Sequence, residues 1–323
     1  MEKIIPIVFA CNDKVADICS VSVASIIQNS NKNNTYNIYI FQTRLSIKNI
    51  ENLEKMSKEN VKIRCVDISK YINFGDFYET PEYPFEMYYR LYAPLILDYN
   101  KIIYLDCDTI VVDDIAKLYK ENIDNEVVGM VINFDCYLNT KHIDYNSGVI
   151  LMNCRNFENM QIRENCKDLL KTNKYKFPDQ TALNIAAEGM IKTLGPKYNY
   201  QVSLAHYHRF KSVTRKRKYR DTFAEKPIVI HFSYITKPYN NIYSKYNNNF
   251  WRYAKYTPYY EKLVQKYTEN SYEVLLNSPV EDIYIDLTES GKVGLRKIFE
   301  VLFYQLKYWA AYKFKGAHKK WEK

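Results

Sequence analysis

The sequence is poor in the residues that punctuate or staple a chain. Only 8 of its 323 residues are glycine and 10 are proline, which argues against a long disordered linker. Its seven cysteines (11, 19, 65, 107, 136, 154 and 166) are odd in number and form no CxxC pair. Neither a disulfide framework nor a zinc site fits that pattern, and a reducing cytoplasm is the expected setting. No run of about eighteen apolar residues occurs, so no segment is expected to span a membrane. The opening MEKIIPIVFACNDK breaks its short apolar stretch with a proline and has no small-residue cleavage site. It reads as a buried first strand and not as a secretion signal.

What is present is globular. Hydrophobic residues make up 47% and charged residues 26%, and a chain of this size buries roughly 75% of its unfolded surface. Tyrosine is abundant, with 32 copies. Its apolar ring and polar tip suit sugar stacking and membrane interfaces, although a Lys/Asn/Ile/Tyr coding bias accounts for most of them. Charge is uneven: residues 290–323 hold nine Lys/Arg and two Glu, net +7 of the chain's +9, leaving +2 for the rest. The basic character belongs to the tail, and no nucleic-acid partner is expected.

Apolar patterning sets the fold class. Residues 4–10 are a continuous apolar run of strand length, and 15–29 follow with helical spacing. Strands at 36–41 and 61–66 flank a helix at 47–56; residues 88–97 look helical, and Lys101–Leu105 is a strand that stops at Asp106. Further strands are expected at 127–132, 148–152 and 228–232, with a basic loop at 209–226 and Asn-rich loops near 29–34 and 240–249. Strands alternating with helices predict βαβ units on a parallel sheet, an α/β fold.

The sharpest local signal is Ile102-Ile103-Tyr104-Leu105-Asp106-Cys107-Asp108. An apolar strand delivers two carboxylates to its C-terminal end, where ligands sit in open α/β sheets. Oxygen ligands there favour Mg²⁺ or Mn²⁺, while the plainer reading is a helix cap. Asp106-Cys107-Asp108-Thr109-Ile110 also resembles the first motif of haloacid-dehalogenase-type phosphatases, with Asp106 as nucleophile and Asp108 as acid/base. That class needs a later acidic pair, for which Asp282 and Asp286 are the only candidates, and about a third of the chain precedes the motif.

Three further motifs follow in order. They are Tyr145-Asn146-Ser147-Gly148 opening an apolar strand, Phe177-Pro178-Asp179-Gln180 opening a helix, and His231-Phe232 followed by Lys237-Pro238. With Asp106 and Asp108, the set resembles glycosyltransferase family 8, the retaining UDP-sugar transferases that include bacterial lipopolysaccharide galactosyl- and glucosyltransferases and glycogenin. The resemblance spans residues 3–265. It implies a GT-A type nucleotide-diphospho-sugar transferase fold, a Rossmann-like mixed sheet flanked by helices, for residues 1–266. Residues 267–323 would form a C-terminal extension.

The resemblance also implies roles. Asp106, Asp108 and His231 would be the protein ligands of Mn²⁺, with Mg²⁺ as the alternative, and Lys237 would meet the diphosphate as a point charge. Ala10, Asn12 and Asp13 sit where the family holds uracil and ribose, and Cys107 lies on the donor side between the two carboxylates. Arg90 would reach the donor sugar or phosphate, the alternative being a surface ion pair. Asn146, Asp179 and Gln180 would line the sugar, with Gln180 nearest the reacting face. The implied reaction moves a hexose from UDP-glucose or UDP-galactose, with retention, to a glycan or glycolipid such as a lipopolysaccharide precursor. A catalytically inactive sugar-nucleotide-binding module is the non-enzyme alternative. Two positions depart from the family pattern: Asn133 replaces an Asp, which leaves Asp135 as a candidate on the acceptor side, and Tyr234 replaces a Gly after the metal His.

The tail has its own logic. Leu295, Phe299, Leu302, Leu306, Trp309 and Tyr312 fall at helical spacing over 295–314, with Lys/Arg on the other side. A basic, aromatic amphipathic helix lies in an anionic membrane interface, so the enzyme is expected in the cytoplasm, peripheral at the inner face of the membrane. The alternative is a helix packed on the catalytic domain. Each Lys or Arg near an anionic surface contributes about 1 kcal/mol and is screened by salt. The full chain should therefore co-sediment with anionic liposomes at low salt and release at high salt. A protein that ignores such liposomes, and that melts lower when truncated near residue 285, would make the tail structural.

Overall fold

The computed structural model describes residues 3–80, 83–133, 143–202, 226–233, 237–238 and 246–276. The 209–225 part of the basic loop, Asp135, Tyr234, Asp282, Asp286 and the 295–314 helix lie outside them.

The apolar runs become the strands of one sheet. Strands β1 (Lys3–Ala10), β2 (Asn34–Gln42), β3 (Val61–Asp67), β4 (Lys101–Leu105), β6 (Val128–Ile132), β7 (Tyr145–Asn153) and β8 (Ile191–Thr193) are ordered β3-β2-β1-β4-β7-β6-β8. All run parallel except β7, which is antiparallel to both its neighbours. Apolar patterning alone gave a parallel sheet, but the sheet is mixed, as the family resemblance implied, with one reversed strand beside its centre. Side chains alternate across it. Ile5, Ile7 and Phe9 of β1 join one core with helix α1 (Ala16–Asn29), whereas Val8, Ile102 and Tyr104 join a second core on the opposite face. Both faces are buried, as a largely parallel sheet requires. Tyr36, Tyr88, Tyr89 and Tyr104 are among the largest fully buried side chains, so these four tyrosines serve packing.

A small second sheet matters more for function. β5 (Thr109–Val111) lies between the first carboxylate motif and the rest of the chain, and pairs antiparallel with β10 (Val229–His231). β10 in turn pairs parallel with β9 (Tyr200–Gln201). The free edge of β5 is met by α1: Ser25 Oγ accepts from Val111 N at 2.9 Å, and Asn29 Nδ2 donates to Val111 O at 3.0 Å. A buried N–H left without such a partner costs about 1–3 kcal/mol, so hydroxyls that interrupt α1's apolar pattern fix the small sheet in place.

The segment read as a helix over 88–97 divides. Phe85–Tyr92 is a 3₁₀-helix, followed by a short α-helix at Ala93–Ile96. Three residues per turn eclipse positions three apart, and that is what the packing uses. Phe85 and Tyr88 both meet Phe77, with centroids at 5.8 and 4.3 Å, while Arg90 Nε donates to the carbonyl of Met87 at 2.8 Å. The tighter winding aims Arg90 inward.

Chain contacts separate two units, Met1–Leu263 and Val264–Lys323. A helix at Tyr260–Leu276 includes the described part of the second. Among the described residues, no helix is long and apolar enough to cross a membrane.

Candidate active site

Strand β4 ends at the centre of the sheet, and its last residue hands the chain to Asp106. A tight turn follows. Asp106 N donates to Gly148 O at 2.8 Å, and the carbonyl of Asp106 accepts from Thr109 N at 3.2 Å and Thr109 Oγ1 at 2.8 Å. The turn brings the Asp106 and Asp108 carboxylates toward one point. The second sheet then delivers the imidazole: His231 is in register with Thr109, and Phe232 N donates to Asp108 O at 3.0 Å. As a result His231 Nε2 lies 3.3 Å from Asp108 Oδ1 and 4.0 Å from Asp106 Oδ2. Residues 106, 108 and 231 each offer one ligand atom, all within 4.8 Å of one another.

The far side of the imidazole is held by a residue the sequence did not point to. Asn199, 1% exposed, places Oδ1 at 3.0 Å from His231 Nδ1, and its Nδ2 donates to Asn146 Oδ1 at 2.8 Å. That donation orients the amide so that its oxygen faces the ring. Nδ1 therefore carries the proton, and the Nε2 lone pair faces the carboxylates, the arrangement in which a second hydrogen bond orients a metal-binding histidine. Burial holds the His231 pKa below its ordinary value, against the pull of Asp106, and keeps the ring neutral. Two carboxylates and a neutral imidazole with its lone pair aimed between them suit a divalent cation.

Gly148 makes room for this. The pairing of β6 with β7 shifts register between Met130 and Val131, whose partners are Ile150 and Asn146. Residues 147–149 therefore bulge toward β4, as strands often do beside a site. A Cβ on Gly148 would strike His231 Cε1 and lie 2.8 Å from Asp106 Oδ2 and 2.9 Å from His231 Nδ1.

Two cations offset part of the carboxylate charge. Arg90 is 4% exposed and is no surface residue. Nη2 donates to Asp106 Oδ1 at 2.9 Å, Nε lies 3.3 Å from Asp179 Oδ2, and Nη1 donates to the carbonyl of Ser147. Its guanidinium also stands over the Tyr104 ring at 4.4 Å, and Tyr104 OH donates to Asp106 Oδ1 at 2.8 Å. Burial opposes the Arg90 charge, but Asp106 and Asp179 hold its pKa above the usual arginine value. Burial raises the Asp179 pKa, against the pull of Arg90, and its Oδ2 accepts from Ser147 Oγ at 3.1 Å. Lys237 Nζ is paired with Asp108 Oδ2. Burial draws that ammonium down to about 8, against the pull of Asp106.

Gln180 faces the same space. Its Oε1 accepts from Ser147 N at 3.3 Å and Asn146 Nδ2 at 3.4 Å, while Nε2 donates to Asp144 Oδ2 at 2.8 Å. Asn133 N donates to Asp144 O at 2.6 Å, and Asn133 Nδ2 reaches Asp144 Oδ2 at 3.5 Å. Asp144, also unmarked by sequence, thus supplies a carboxylate beside the position where the family pattern has Asp and this chain has Asn133. At the end of β1, Asn12 Oδ1 accepts from Lys14 N at 3.0 Å, and Ala10 O accepts from Cys107 Sγ at 3.1 Å. Asp13 Oδ1 accepts from Ser46 N, Ser46 Oγ and Asn49 Nδ2 at 2.9, 3.0 and 2.7 Å. Asp13 therefore steadies the start of the helix Ile47–Glu54.

The role of Gly148 can be tested directly. Gly148→Ala should keep the sheet, read by circular dichroism, yet bind Mn²⁺ about 10–100-fold more weakly in a titration, the usual cost of disturbing the groups around a metal ligand. Unchanged affinity in the folded variant would contradict the geometry described above.

Residues 6–243 match the family model described as Glycosyl transferase family 8. Glycosyltransferase GlyF of Streptococcus pneumoniae serotype 4 is 27% identical over 58% of this chain and 45% of its own length. General stress protein A of Bacillus subtilis is 24% identical over 79% of this chain and 95% of its own. A lipopolysaccharide 1,2-glucosyltransferase of Escherichia coli K12 is 26% identical over 48% and 49%. This chain thus spans about half the length of two of these three relatives. Among solved structures, the bifunctional glycosyltransferase WbbM aligns with TM-score 0.72 at 20% identity, covering 82% of this chain and 52% of that one. The galactosyltransferase LgtC, solved with donor and acceptor sugar analogues, aligns with TM-score 0.66 at 18% identity over 79% and 96%. These neighbours are GT-A glycosyltransferases, so the mixed sheet with the Asp106 turn at its centre is a GT-A fold. With the family model covering most of its length, the chain belongs to glycosyltransferase family 8.

Proposed function

We propose that this chain transfers a hexose, glucose or galactose, from its UDP-sugar to a glycan or glycolipid acceptor of surface-glycan synthesis, with retention. Residues 1–266 form the catalytic domain, and the basic tail holds it at the inner face of the membrane. The observation that carries the reading is the convergence of Asp106, Asp108 and His231 beside Lys237. The lipopolysaccharide 1,2-glucosyltransferase among the relatives supports the acceptor class. The imidazole in the ligand set favours Mn²⁺ over Mg²⁺, which prefers all-oxygen surroundings.

In the transfer, the bond between the sugar C1 and the β-phosphate oxygen breaks while C1 bonds to an acceptor oxygen. The departing diphosphate gains charge and takes up the acceptor proton. A bound divalent cation supplies electrostatic stabilisation of that charge. Lys237 leaves its partner Asp108 for the diphosphate and adds a second positive charge in a site where such groups act strongly. Asp179 is engaged by Arg90 and by Ser147 Oγ, so it anchors the arginine and does not attack C1. Gln180, whose amide is fixed by Asp144 and the Ser147 backbone, presents no carboxylate for a covalent intermediate. Front-face attack by the acceptor, with retention, is the course we propose, as the family resemblance implies.

Incubating the protein with Mn²⁺ and each UDP-sugar, with and without acceptor, should release UDP from one of them. Asp108→Ala should lower that rate by about 10²–10³, as loss of one electrostatic element typically does, and NMR of the first product should show the α-anomer. A β-linked product, or normal turnover by Asp108→Ala, would overturn the proposal. Tight UDP-sugar binding without hydrolysis or transfer would identify an inactive binding module instead.

A further inference from the structure

Buried cysteines ordinarily act as small apolar side chains. Cys154 and Cys166 fit that description, packed in the core on the second face of the sheet. Three others do not simply disperse. Cys11 directly follows β1, Cys19 sits in the first turns of α1, and Cys107 stands between Asp106 and Asp108. The three sulfurs lie within 4.8 Å of one another, although their segments are brought together only by the fold. For that reason no CxxC spacing marks them.

We propose that Cys11, Cys19 and Cys107 form a second metal site, for one thiophilic cation such as Zn²⁺ or Cu⁺, distinct from the carboxylate–imidazole site. A metal bonded to thiolates at about 2.3 Å in tetrahedral geometry holds its sulfurs roughly 3.8 Å apart. The observed spread therefore needs only a small contraction, available to side-chain rotation. The present contacts are weak enough to give up: Cys107 Sγ donates to Ala10 O at 3.1 Å and Cys11 Sγ to Asn12 O at 3.4 Å. The walls select the ion. Cys11 and Cys19 are 1% and 0% exposed within the core that includes Phe9 and Val23. Such apolar walls, with the Ala10 and Asn12 carbonyls but no carboxylate at the sulfurs, suit a hard cation poorly, while soft thiolates favour Zn²⁺ and Cu⁺. On binding, three S–H protons leave to solvent as three S–metal bonds form. With a divalent ion the three thiolates leave the cluster one negative charge.

The location gives the site a consequence. Cys11 adjoins Asn12, and Cys107 separates the two carboxylate ligands, so a cation on these sulfurs ties the end of β1 to the Asp106–Asp108 turn. A ligand that binds only the folded state raises its stability, and occupancy should therefore raise the melting temperature.

Cd²⁺ is the probe, because thiolate coordination gives it an ultraviolet charge-transfer band that carboxylates do not. The full chain, reduced, stripped of metal and held in excess Mg²⁺, should show that band, saturating at one equivalent, with a rise in melting temperature. Cys154→Ser and Asp108→Ala should retain the band; Cys19→Ala and Cys107→Ala should lose it or bind at least tenfold more weakly. A second measurement needs no variant: in the native protein, Cd²⁺ should slow iodoacetamide alkylation of the partly exposed Cys107 and leave that of the partly exposed Cys65 unchanged, as mapped by peptide mass spectrometry. Absence of the band, its persistence in folded Cys19→Ala, or alkylation of Cys107 that Cd²⁺ does not slow would overturn the proposal.

Discussion

Gathering negative charge is the constraint on which this site depends. Asp106, Asp108 and Asp179 converge on one partly buried site, and like charges there repel unless compensated. Arg90 lies between the first and third, within 2.9 Å of Asp106 and 3.3 Å of Asp179, and is itself buried. Lys237 meets Asp108. Three carboxylates against two cations leave one negative charge, with a neutral imidazole aimed into the same space. Removing one partner of a buried pair costs about 3–5 kcal/mol, because the other charge is left uncompensated. Arg90 therefore ties Asp106 and Asp179 together and fixes where the Asp106 carboxylate stands.

Precision comes from backbone pairing more than from side chains. Asp108 leads directly into β5, β5 pairs with β10, and His231 is the last residue of β10. The ladder that makes the small sheet thereby sets the distance from imidazole to carboxylate. On the other edge α1 gives hydroxyl and amide groups to β5. The bulge at residues 147–149 supplies the carbonyl oxygens for Arg90 and for the Asp106 amide.

Some of this was legible in the sequence, and the reason is local. Asp106 and Asp108 stand out because an apolar strand precedes them, and Gly148 because, with Asn146, it opens an apolar strand. The order of four such motifs carried the family. Asn199 and Asp144 were not legible, since each acts through partners tens of residues away, His231 and Gln180, and neither sits in a pattern of its own. The same holds for Ser25, hidden inside a helix that reads as apolar. The helical reading of residues 88–97 captured the apolar rows but not their pitch, because aromatic stacking on Phe77, and not spacing, selects three residues per turn. The reversed strand β7 also escaped notice, since direction leaves no mark on an apolar run.

A site left one charge short of balance should bind a nucleoside diphosphate poorly alone and well with a divalent cation. The direct measurement is the melting temperature of the full chain with UDP, with Mn²⁺, and with both. A ligand at 100 times its dissociation constant stabilises the fold by about 2.7 kcal/mol, enough to read as a shift of several degrees. The account predicts that UDP raises the melting temperature only when Mn²⁺ is present. Equal stabilisation by UDP with and without the cation would contradict it.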